Sequence, residues 1–467
     1  MPWNIRMVST YPPRRCGIGT FCRDLSNALS QFTGEIGHIR IAAIDNNHGP
    51  YNIPVDLVID QHNPKSWDQT TKEIISRAKE SNNSTAVVLQ HEFGLDVDEQ
   101  GRGDGFGRNF VNMAKACTEN GLTCLVYLHT VLDNPTDPQR QTIVDLAEYS
   151  NGLIVTTESA IDILESEKYG ISHFKLKHID HGVRMHHPTQ FDRFTIKSEL
   201  GINDVFLATT LGLLSPGKGV QYSIRAYGQF IHESCTPAQR QHIVYLIGGQ
   251  CHPEFVKADG GKYYRKFMAE IDKALEESDV KWCKASAIEG IDWFENDIIF
   301  LDMFLDESTL LKFYGASNVM ILPYLNTEQI SSGILADTIG SGRVAIATKF
   351  RYALELIYSN KSCPPGMTIG RFARGILVDP GDASIEQIAK ALDFLVFEKE
   401  KRLQMERQAH QRGYQMRWAN SAWAMVQYVE FVSEDKEITT GRGIRFLREK
   451  KSPLMLKPKR TATQPSQ

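Results

Sequence analysis

The chain alternates short apolar runs with amphipathic stretches, and it does so in two successive series. Most runs are apolar at nearly every position, which is typical of strands buried in a parallel sheet. The first series is IRMVST, HIRIAAID, VDLVID, TAVVLQH, CLVYLHT and GLIVTTE, and the second is VFLATTLGLL, HIVYLIGG, DIIFLDM, NVMILPY, RVAIAT and GILVDP. Helical patterns lie between them, as over Phe21–Phe32, Glu307–Tyr314 and Ser384–Phe397. This alternation predicts doubly wound α/β architecture.

The two series indicate two domains. At 467 residues the chain is too long for one ordinary hydrophobic core. The polar segment MHHPTQFDRFTIKSELGIND separates the series, contains no clear strand and is interpreted as a linker. We therefore predict a first Rossmann-like domain over residues 1–188 and a second over 204–411. A long amphipathic stretch from Glu398 to Val432 follows.

The last residues, 433–467, become basic and contain prolines after about Thr440. This composition predicts a disordered, solubilising tail. The alternative is weak contact between the basic tail and an anionic membrane surface.

Composition excludes several classes of protein. No apolar run approaches the ~20 residues that span a bilayer, and the start lacks the apolar core of a signal peptide, so we expect a cytoplasmic protein. A net charge of -4 argues against a dedicated nucleic-acid binder. The eight cysteines contain no CxxC pair, which indicates reduced thiols rather than a disulfide framework or a zinc site.

Ligands of open α/β sheets bind beyond the carboxyl ends of the strands. The first predicted strand is followed by TYPPRRCGIGTF, in which Gly17 and Gly19 allow backbone to approach a ligand closely. The helix that follows would present free amides to an anion. The alternative is that these glycines only make a tight turn between strand and helix.

Three predicted strands of the first domain end in histidine, at His91, His129 and His181. Metal binding is one use for such residues. No Asp/Glu/His cluster at ligand spacing accompanies them, so we favour contacts with sugar hydroxyls and predict no metal site.

A lysine lies on a glycine turn after the first strand of the second domain. In SPGKGV the residues Pro216, Gly217 and Gly219 form a tight turn that displays Lys218. A lysine on such a turn can neutralise a phosphate. The P-loop spacing is absent, and the alternative is a solvent-exposed turn lysine.

The segment TEQISSGILADTIGSG combines the features of a phosphate-binding helix start. Ser331 or Ser332 would cap the helix, and Gly333 removes a side chain from its first turn. Bare amides and about half a positive charge of helix dipole would then face a ligand.

Polar side chains flank this helix start. Glu328 and Gln329 precede it and could bind hydroxyls of the group attached to the phosphate, and Asp337 could reach a ribose. Gly340 and Gly342 are expected to end the helix as capping glycines.

Motifs along most of the chain, in order, resemble those of retaining nucleotide-sugar glycosyltransferases of family four. They are PPRRCGIGTF, LQHEFG, YLHTVL, HGV, GLLSPGKG, ILPYLNTEQISSG and GILVDPGD. The nearest likeness is to a bacterial branch with a PEQ-[ST]-SGTLAYALGAGK segment, and it covers roughly residues 5–432. The resemblance implies the GT-B fold, in which two Rossmann-like domains face each other across a cleft. It also implies that residues 412–432 form a helix that crosses back to the first domain.

The resemblance implies roles for residues that match its motifs. The nucleotide sugar would be a substrate bound mainly by the second domain, the acceptor would lie on the first, and no cofactor would be needed. His129 would contact the transferred sugar, and Lys218 would neutralise the diphosphate. We accordingly predict catalytic contacts from His129, Lys218 and Glu328, and donor contacts from Arg15, Gly17, Gly19, Gln329, Ser331, Ser332, Gly333 and Asp337.

The chain departs from the family pattern at two places. Many members have two glutamates separated by seven residues, where the matching frame here gives Gln329 and Asp337, with Glu328 one residue out of frame. Many also have an arginine where this chain has Leu213. Arg14 or Arg15 could replace the missing cation.

The expected activity is transfer of a hexose, mannose or glucose, from a nucleoside diphosphate sugar such as GDP-mannose or UDP-glucose, with retention of configuration and without a metal. The acceptor is unidentified and could be a saccharide, a lipid-linked group or a small molecule. One alternative is a sugar phosphorylase or nucleotide-sugar epimerase of the same fold. Another is a non-catalytic sugar-binding scaffold derived from a transferase.

Overall fold

The computed structural model describes residues 2–184, 192–251 and 253–440. They contain two sheets of seven parallel strands, which confirms the predicted doubly wound architecture. The first sheet has the order β3-β2-β1-β4-β5-β6-β7. Its strands are β1 (Trp3–Ser9), β2 (Ile36–Asp45), β3 (Val55–Asp60), β4 (Thr85–His91), β5 (Thr123–Leu128), β6 (Gly152–Val155) and β7 (Leu176–His178). The helices between them are α1 (Gly17–Leu29), α2 (Pro64–Glu80), α3 (Asn109–Glu119), α4 (Asp137–Tyr149) and α5 (Glu158–Glu165).

The second sheet repeats this plan with the order β10-β11-β9-β8-β12-β13-β14. Its strands are β8 (Phe206–Leu211), β9 (Ile243–Gly248), β10 (Trp282–Ala285), β11 (Ile298–Leu301), β12 (Val319–Leu322), β13 (Val344–Thr348) and β14 (Gly375–Val378). The accompanying helices are α6 (Arg193–Glu199), α7 (Val220–Ser234), α8 (Pro237–Arg240), α9 (Pro253–Lys257), α10 (Lys262–Glu277), α11 (Glu307–Ala316), α12 (Gly333–Gly340), α13 (Arg351–Ala353) and α14 (Ala383–Phe397). Helix α6 lies within the segment interpreted as a linker.

The central strands of each sheet are buried on both faces, which explains why they are apolar at nearly every position. Two hydrophobic clusters cover the faces of the first sheet, and two cover the second. Ile330 is an exception to this separation. It follows β12 of the second domain, yet its side chain is packed in the core of the first.

The long amphipathic stretch after residue 398 is two helices, α15 (Lys399–Gln415) and α16 (Trp418–Thr440). Helix α15 packs against α12, whereas α16 packs against α1 and β5 of the first domain. A side chain at Gly152 would lie 2.1 Å from the Tyr428 hydroxyl, so strand and helix are in close contact. The chain therefore returns to the first domain at the break between these helices. Residues 441–467, which include most of the predicted tail, lie outside the described residues.

Candidate active site

The sequence-predicted residues follow the strands at which each sheet reverses its winding. In the first sheet the order changes direction between β1 and β4, and in the second between β8 and β12. Such switch points open a crevice at the carboxyl ends of the strands. Gly17 and Gly19 lie in the first turn of α1, the helix after β1, and Lys218 lies in the turn after β8. The segment from Glu328 to Asp337 follows β12 and forms the start of α12.

The loops after β8 and β12 are joined to each other. The Leu325 amide donates a hydrogen bond of 2.9 Å to the carbonyl of Gly217. Gly219 has φ 63°, and a Cβ there would lie 2.1 Å from the carbonyl oxygen of Pro323. Both the backbone conformation and the close contact therefore require glycine at this position. The Lys218 ammonium lies 3.7 Å from the ring centre of Tyr324, so a cation-π contact holds it above the β12 loop.

Helix α12 begins as the sequence predicts. Ser332 is the capping residue, and its hydroxyl accepts a hydrogen bond of 3.3 Å from the Leu335 amide. The amides of Gly333 and Ile334 precede the first intrahelical bonds, as at any helix start. Gly333 is exposed, and a Cβ there would lie 3.7 Å from His181 Nε2 of the first domain. The free end of the helix thus faces the opposite domain.

The other end of α12 differs from the prediction. Gly342 has φ 65° and occupies the capping position expected of glycine. Gly340 is still helical, and its role is close packing instead. A Cβ at Gly340 would lie 2.7 Å from Val183 Cβ, and a Cβ at Gly413 would lie 2.7 Å from the Gly340 Cα.

The first-domain side of the cleft is built around Phe21 of α1. Its ring makes edge contacts with His129 and His181 at centroid distances of 5.0 and 5.1 Å, and with Tyr127 and Trp418. Gly19 permits this arrangement, because a Cβ there would lie 3.3 Å from the backbone of Tyr11. Gly17 has open space around it, so its backbone is accessible to a ligand.

His129 is held as a neutral imidazole. Its Nε2 lies 2.7 Å from the side-chain oxygen of Gln90. With that oxygen as acceptor, Nε2 carries the ring proton and Nδ1 keeps a lone pair. Burial lowers the pKa of His129 to about 3, and the neighbouring His181 and His91 add to the effect. The ring can therefore exchange hydrogen bonds with a ligand but does not act as a cation near neutral pH.

The expectation of a sugar contact is wrong for His91. Its side chain is fully buried between Phe93 and Phe110, and neither ring nitrogen has a hydrogen-bond partner among the residues that the structure describes. Glu92, one residue later, lies on the more accessible side of the chain. Its carboxylate accepts a hydrogen bond of 2.7 Å from the Thr130 hydroxyl, and burial raises its pKa.

Glu328 is engaged in an ion-pair network. Its carboxylate accepts hydrogen bonds from Arg351 Nε at 3.0 Å and from Arg351 Nη2 at 2.7 Å. The same Nη2 donates to Asp133 of the first domain at 2.9 Å. Arg351 therefore fixes the predicted hydroxyl-binding carboxylate and links the domains. Sequence reasoning missed Arg351, although its position just after a buried strand is a usable signal.

Asp337 lies on α12 beside Arg184, which follows β7 of the first domain. Burial raises the pKa of Asp337 to about 7, an effect that the charge of Arg184 opposes and that of Asp24 reinforces. Arg184 also pairs with Asp24 and, at 2.8 Å, with Glu307 of the second domain. The predicted ribose-binding carboxylate thus belongs to a charged cluster across the domain boundary.

Of the remaining predicted donor residues, Gln329 makes a local contact and Arg15 reaches the other domain. The Gln329 amide donates a hydrogen bond of 2.6 Å to the Ser331 carbonyl. The Arg15 guanidinium lies 4.2 Å from the ring centre of Phe304, which follows β11 of the second domain. Arg14 donates to Gln61 at 2.8 Å within the first domain. Of the two arginines that could replace the cation missing at Leu213, Arg15 is therefore the one that crosses the cleft.

Three further kinds of feature are absent from the described parts of the chain. No group of three or more His, Cys, Asp or Glu side chains is arranged to hold a metal ion. None of the eight cysteines, which all lie within the described residues, forms a disulfide bond. No described helix has both the length and the apolarity that crossing a membrane requires.

Comparisons with known proteins gave structural matches only, since no family model and no curated protein matches the chain. HepE from Anabaena, solved with UDP, matches at TM-score 0.63 and 13% identity over 92% of this chain and 100% of its own. Sucrose-phosphate synthase from Thermosynechococcus elongatus matches at TM-score 0.64 and 12% identity over 93% of this chain and 100% of its own. A glycosyltransferase from Rickettsia africae matches at TM-score 0.62 and 13% identity over 92% of this chain and 98% of its own. The chain therefore has the GT-B fold, two Rossmann-like domains that face each other across a cleft.

Proposed function

We propose that this protein is a retaining glycosyltransferase that moves a hexose, mannose or glucose, from a nucleoside diphosphate sugar to an acceptor hydroxyl. The observation that carries the proposal is the joining of the Lys218 turn to the segment that starts α12. A cation and a row of free helix amides lie at one switch point, which is the chemistry that a diphosphate needs. Structural neighbours solved with UDP and with UDP and glucose support the same class of donor.

In the proposed reaction the bond between the sugar anomeric carbon and the diphosphate oxygen breaks, and a bond from that carbon to the acceptor oxygen forms on the same face. The acceptor proton passes to the departing phosphate oxygen. Negative charge grows on the diphosphate during this step, so Lys218 and the amides of Gly333 and Ile334 stabilise the transition state more than the bound substrate. No metal ion takes part in this scheme.

The first domain would hold the sugar and the acceptor. Neutral His129 offers Nδ1 to a sugar hydroxyl, and His181 lies next to the free end of α12. Contacts between the domains would keep water away from the reacting carbon. The resemblance places Glu328 and Gln329 at sugar hydroxyls and Asp337 at the ribose, and we retain these roles as part of the proposal.

Two observations favour a non-catalytic, sugar-binding protein of the same fold. The Glu328 carboxylate is already paired with Arg351, and Leu213 stands where many members have an arginine. A donor would then have to share Glu328 with Arg351. Such a protein would bind a nucleotide sugar without transferring its hexose.

The first experiment measures the thermal unfolding of the full chain with GDP-mannose, UDP-glucose, ADP-glucose and each free nucleotide. A ligand at a hundred times its dissociation constant adds about 2.7 kcal/mol to the free energy of unfolding. A shift with one nucleotide family identifies the base, and release of its nucleoside diphosphate with an acceptor then establishes transfer. A shift without release under any acceptor condition supports the non-catalytic alternative. Absence of any shift on folded protein contradicts both.

A further inference from the structure

His181 of the first domain lies beside the free start of α12. It follows β7 and is 9% exposed, so about nine-tenths of the residue is buried. The rings of Phe21 and Trp418 hold its ring at centroid distances of 5.1 and 5.6 Å. A Cβ built on Gly333 would lie 3.7 Å from Nε2 and 3.9 Å from Cε1 of the ring. This edge of the imidazole is therefore turned toward the start of the helix.

The two ring nitrogens of His181 have different surroundings. Nδ1 lies 2.8 Å from the carbonyl oxygen of Gly182. Because a carbonyl oxygen only accepts hydrogen bonds, Nδ1 carries a proton. Nε2 has no hydrogen-bond partner within the described part of the chain and, unlike the ring nitrogens of His91, it is not a fully buried atom. The neutral ring therefore presents an accessible lone pair to the space beside Gly333.

A phosphate on the free amides of Gly333 and Ile334 would lie next to this lone pair. An ionised phosphate oxygen accepts hydrogen bonds and has no proton to donate. Because Nδ1 already holds one proton, Nε2 donates to a phosphate only when the ring takes up a second proton from solvent and becomes an imidazolium. A hydrogen bond between His181 and a diphosphate therefore requires the uptake of one proton.

The charges around His181 keep the ring neutral near pH 7 when no ligand is bound. Burial has the largest effect and lowers its pKa, and Arg184 acts in the same direction, whereas the Gly182 carbonyl, Asp24 and Asp180 raise it. An anion close to Nε2 favours the charged form of the ring, so a bound diphosphate would raise the pKa. Other charged or titratable groups surround the ring or pair with these neighbours, namely His129, Asp337, Glu307, Arg23 and Arg412.

We propose that His181 binds the diphosphate of the donor as an imidazolium, so that binding of the nucleotide sugar takes up a proton. The inference rests on the proposed function and adds a titrating cation to the same site. It also supplies positive charge to a diphosphate that lacks the arginine replaced here by Leu213. Negative charge grows on the diphosphate during transfer, so a cation at Nε2 would stabilise the departing group.

Calorimetric titration of the full chain with UDP-glucose and with GDP-mannose at pH 6, 7 and 8 tests the proposal, because the diphosphate of a nucleotide sugar keeps its charge over this range. His181→Gln retains a hydrogen-bond donor that cannot become charged, and His181→Phe retains an aromatic ring without nitrogens. Asp337→Asn is the matched control, since burial raises the pKa of this α12 carboxyl to about 7 and its titration would also favour an anion at low pH. Thermal unfolding checks that each variant is folded.

We expect the nucleotide sugar that binds to do so about five- to tenfold more tightly at pH 6 than at pH 8, because one unit of pKa corresponds to a tenfold change in affinity. The heat of binding should also depend on the ionisation enthalpy of the buffer. Both effects should disappear in His181→Gln and His181→Phe and remain in Asp337→Asn.

Three results would overturn the role of His181. Tight binding that does not change with pH in the unaltered protein would exclude proton uptake and leave the proposed function intact. A pH dependence that persists in both His181 variants, or that disappears only in Asp337→Asn, would assign the proton to another group. Absence of binding of either nucleotide sugar at every pH would contradict the proposed function itself, and the role of His181 with it.

Discussion

Lys218 is the residue whose chemistry bears most directly on the proposed reaction. Its ammonium lies over the Tyr324 ring, and the turn that carries it is bonded to the β12 loop. We predict that Lys218→Ala lowers the affinity for the preferred nucleoside diphosphate about 10- to 100-fold, since a hydrogen bond to a charged group contributes about 1.5–3 kcal/mol. Calorimetric titration measures this effect. Lys401→Ala, at an exposed site on α15, is the control, and equal affinity in both variants would remove Lys218 from the site.

His91 allows a prediction about pH. Burial lowers its folded-state pKa to about 3, whereas an unfolded histidine has a pKa of about 6.5. The unfolded state therefore binds a proton that the folded state excludes, and the free energy of unfolding falls as the pH drops from 6.5 toward 3.

We predict that His91→Leu, which removes this group, gains stability relative to the unaltered protein as the pH is lowered, by up to about 1.4 kcal/mol per pH unit. Urea unfolding at pH 7, 6, 5 and 4 tests the prediction. The exposed His62→Leu variant controls for the loss of one histidine. A stability difference that is constant with pH would show that His91 takes up a proton as readily in the folded protein as in the unfolded chain.

The sequence identifies the loops that carry the site but not which side chains turn toward the cleft. In the QHEF segment the position of histidine at a strand end suggested a ligand contact, yet His91 points into the core and Glu92 does not. Arg351 was missed because its role depends on ion pairs with Asp133 and Glu328, which lie far from it along the chain. Such pairings depend on how two domains meet, and no local pattern encodes them.

At the scale of elements, glycine is needed at Gly340 and at Gly342, near the end of α12, for different physical reasons. We therefore predict that their alanine variants lose different amounts of stability. Gly340→Ala should destabilise by about 1–3 kcal/mol, because its methyl group would overlap Val183 on the segment after β7. Gly342→Ala should be destabilising by about 1 kcal/mol, because alanine is strained at φ 65°, and its Cβ would lie 3.1 Å from the Cβ of His410, a less severe contact than that at Gly340. Denaturant midpoints measure both effects. Gly34→Ala, which meets nothing within 4 Å, is the control, and an equal loss in all three would contradict the packing argument.

Most strands that the sequence predicted have apolar residues at nearly every position. Strand β10, which was missed, and strand β7, which was predicted to extend to His181 but ends at His178, both lie at sheet edges. Strand β7 has only three residues, and strand β10 alternates exposed and half-buried residues, including Trp282 and Lys284. Neither presents the continuous apolar run that identifies a central strand. The break between α15 and α16 was also missed, because both halves have a helical pattern and the interruption spans only Met416 and Arg417.

At the scale of the whole molecule, the fold matches that of the structural neighbours although the sequence identity to them is low. At 11–14% identity the shared feature is the succession of buried strands and helices. The charged contacts across the cleft belong to this chain, and the resemblance implied none of them. They include Arg351 with Asp133, Glu307 with Arg23 and Arg184, and the Glu355 carboxylate, which accepts hydrogen bonds of 2.8 Å from the Glu158 and Ser159 amides.

Ile330 connects these contacts to the candidate site. It lies between Gln329 and the capping serines, is 2% exposed, and packs in the core of the first domain. Its carbonyl accepts a hydrogen bond of 2.8 Å from the Thr156 hydroxyl. The segment that precedes α12 is therefore anchored in the opposite domain, so the candidate site is complete only when the domains are together.

We predict that Ile330→Asp uncouples the domains, because a carboxylate cannot remain in that core without a partner. Scanning calorimetry should then show two separate unfolding transitions in place of one, and nucleotide binding should weaken even though no cleft side chain has changed. Ile369→Asp, at a 39% exposed isoleucine of the second domain, tests whether the added charge alone has this effect. A single transition at the unaltered temperature in Ile330→Asp would mean that the other cross-domain contacts hold the domains together without this side chain.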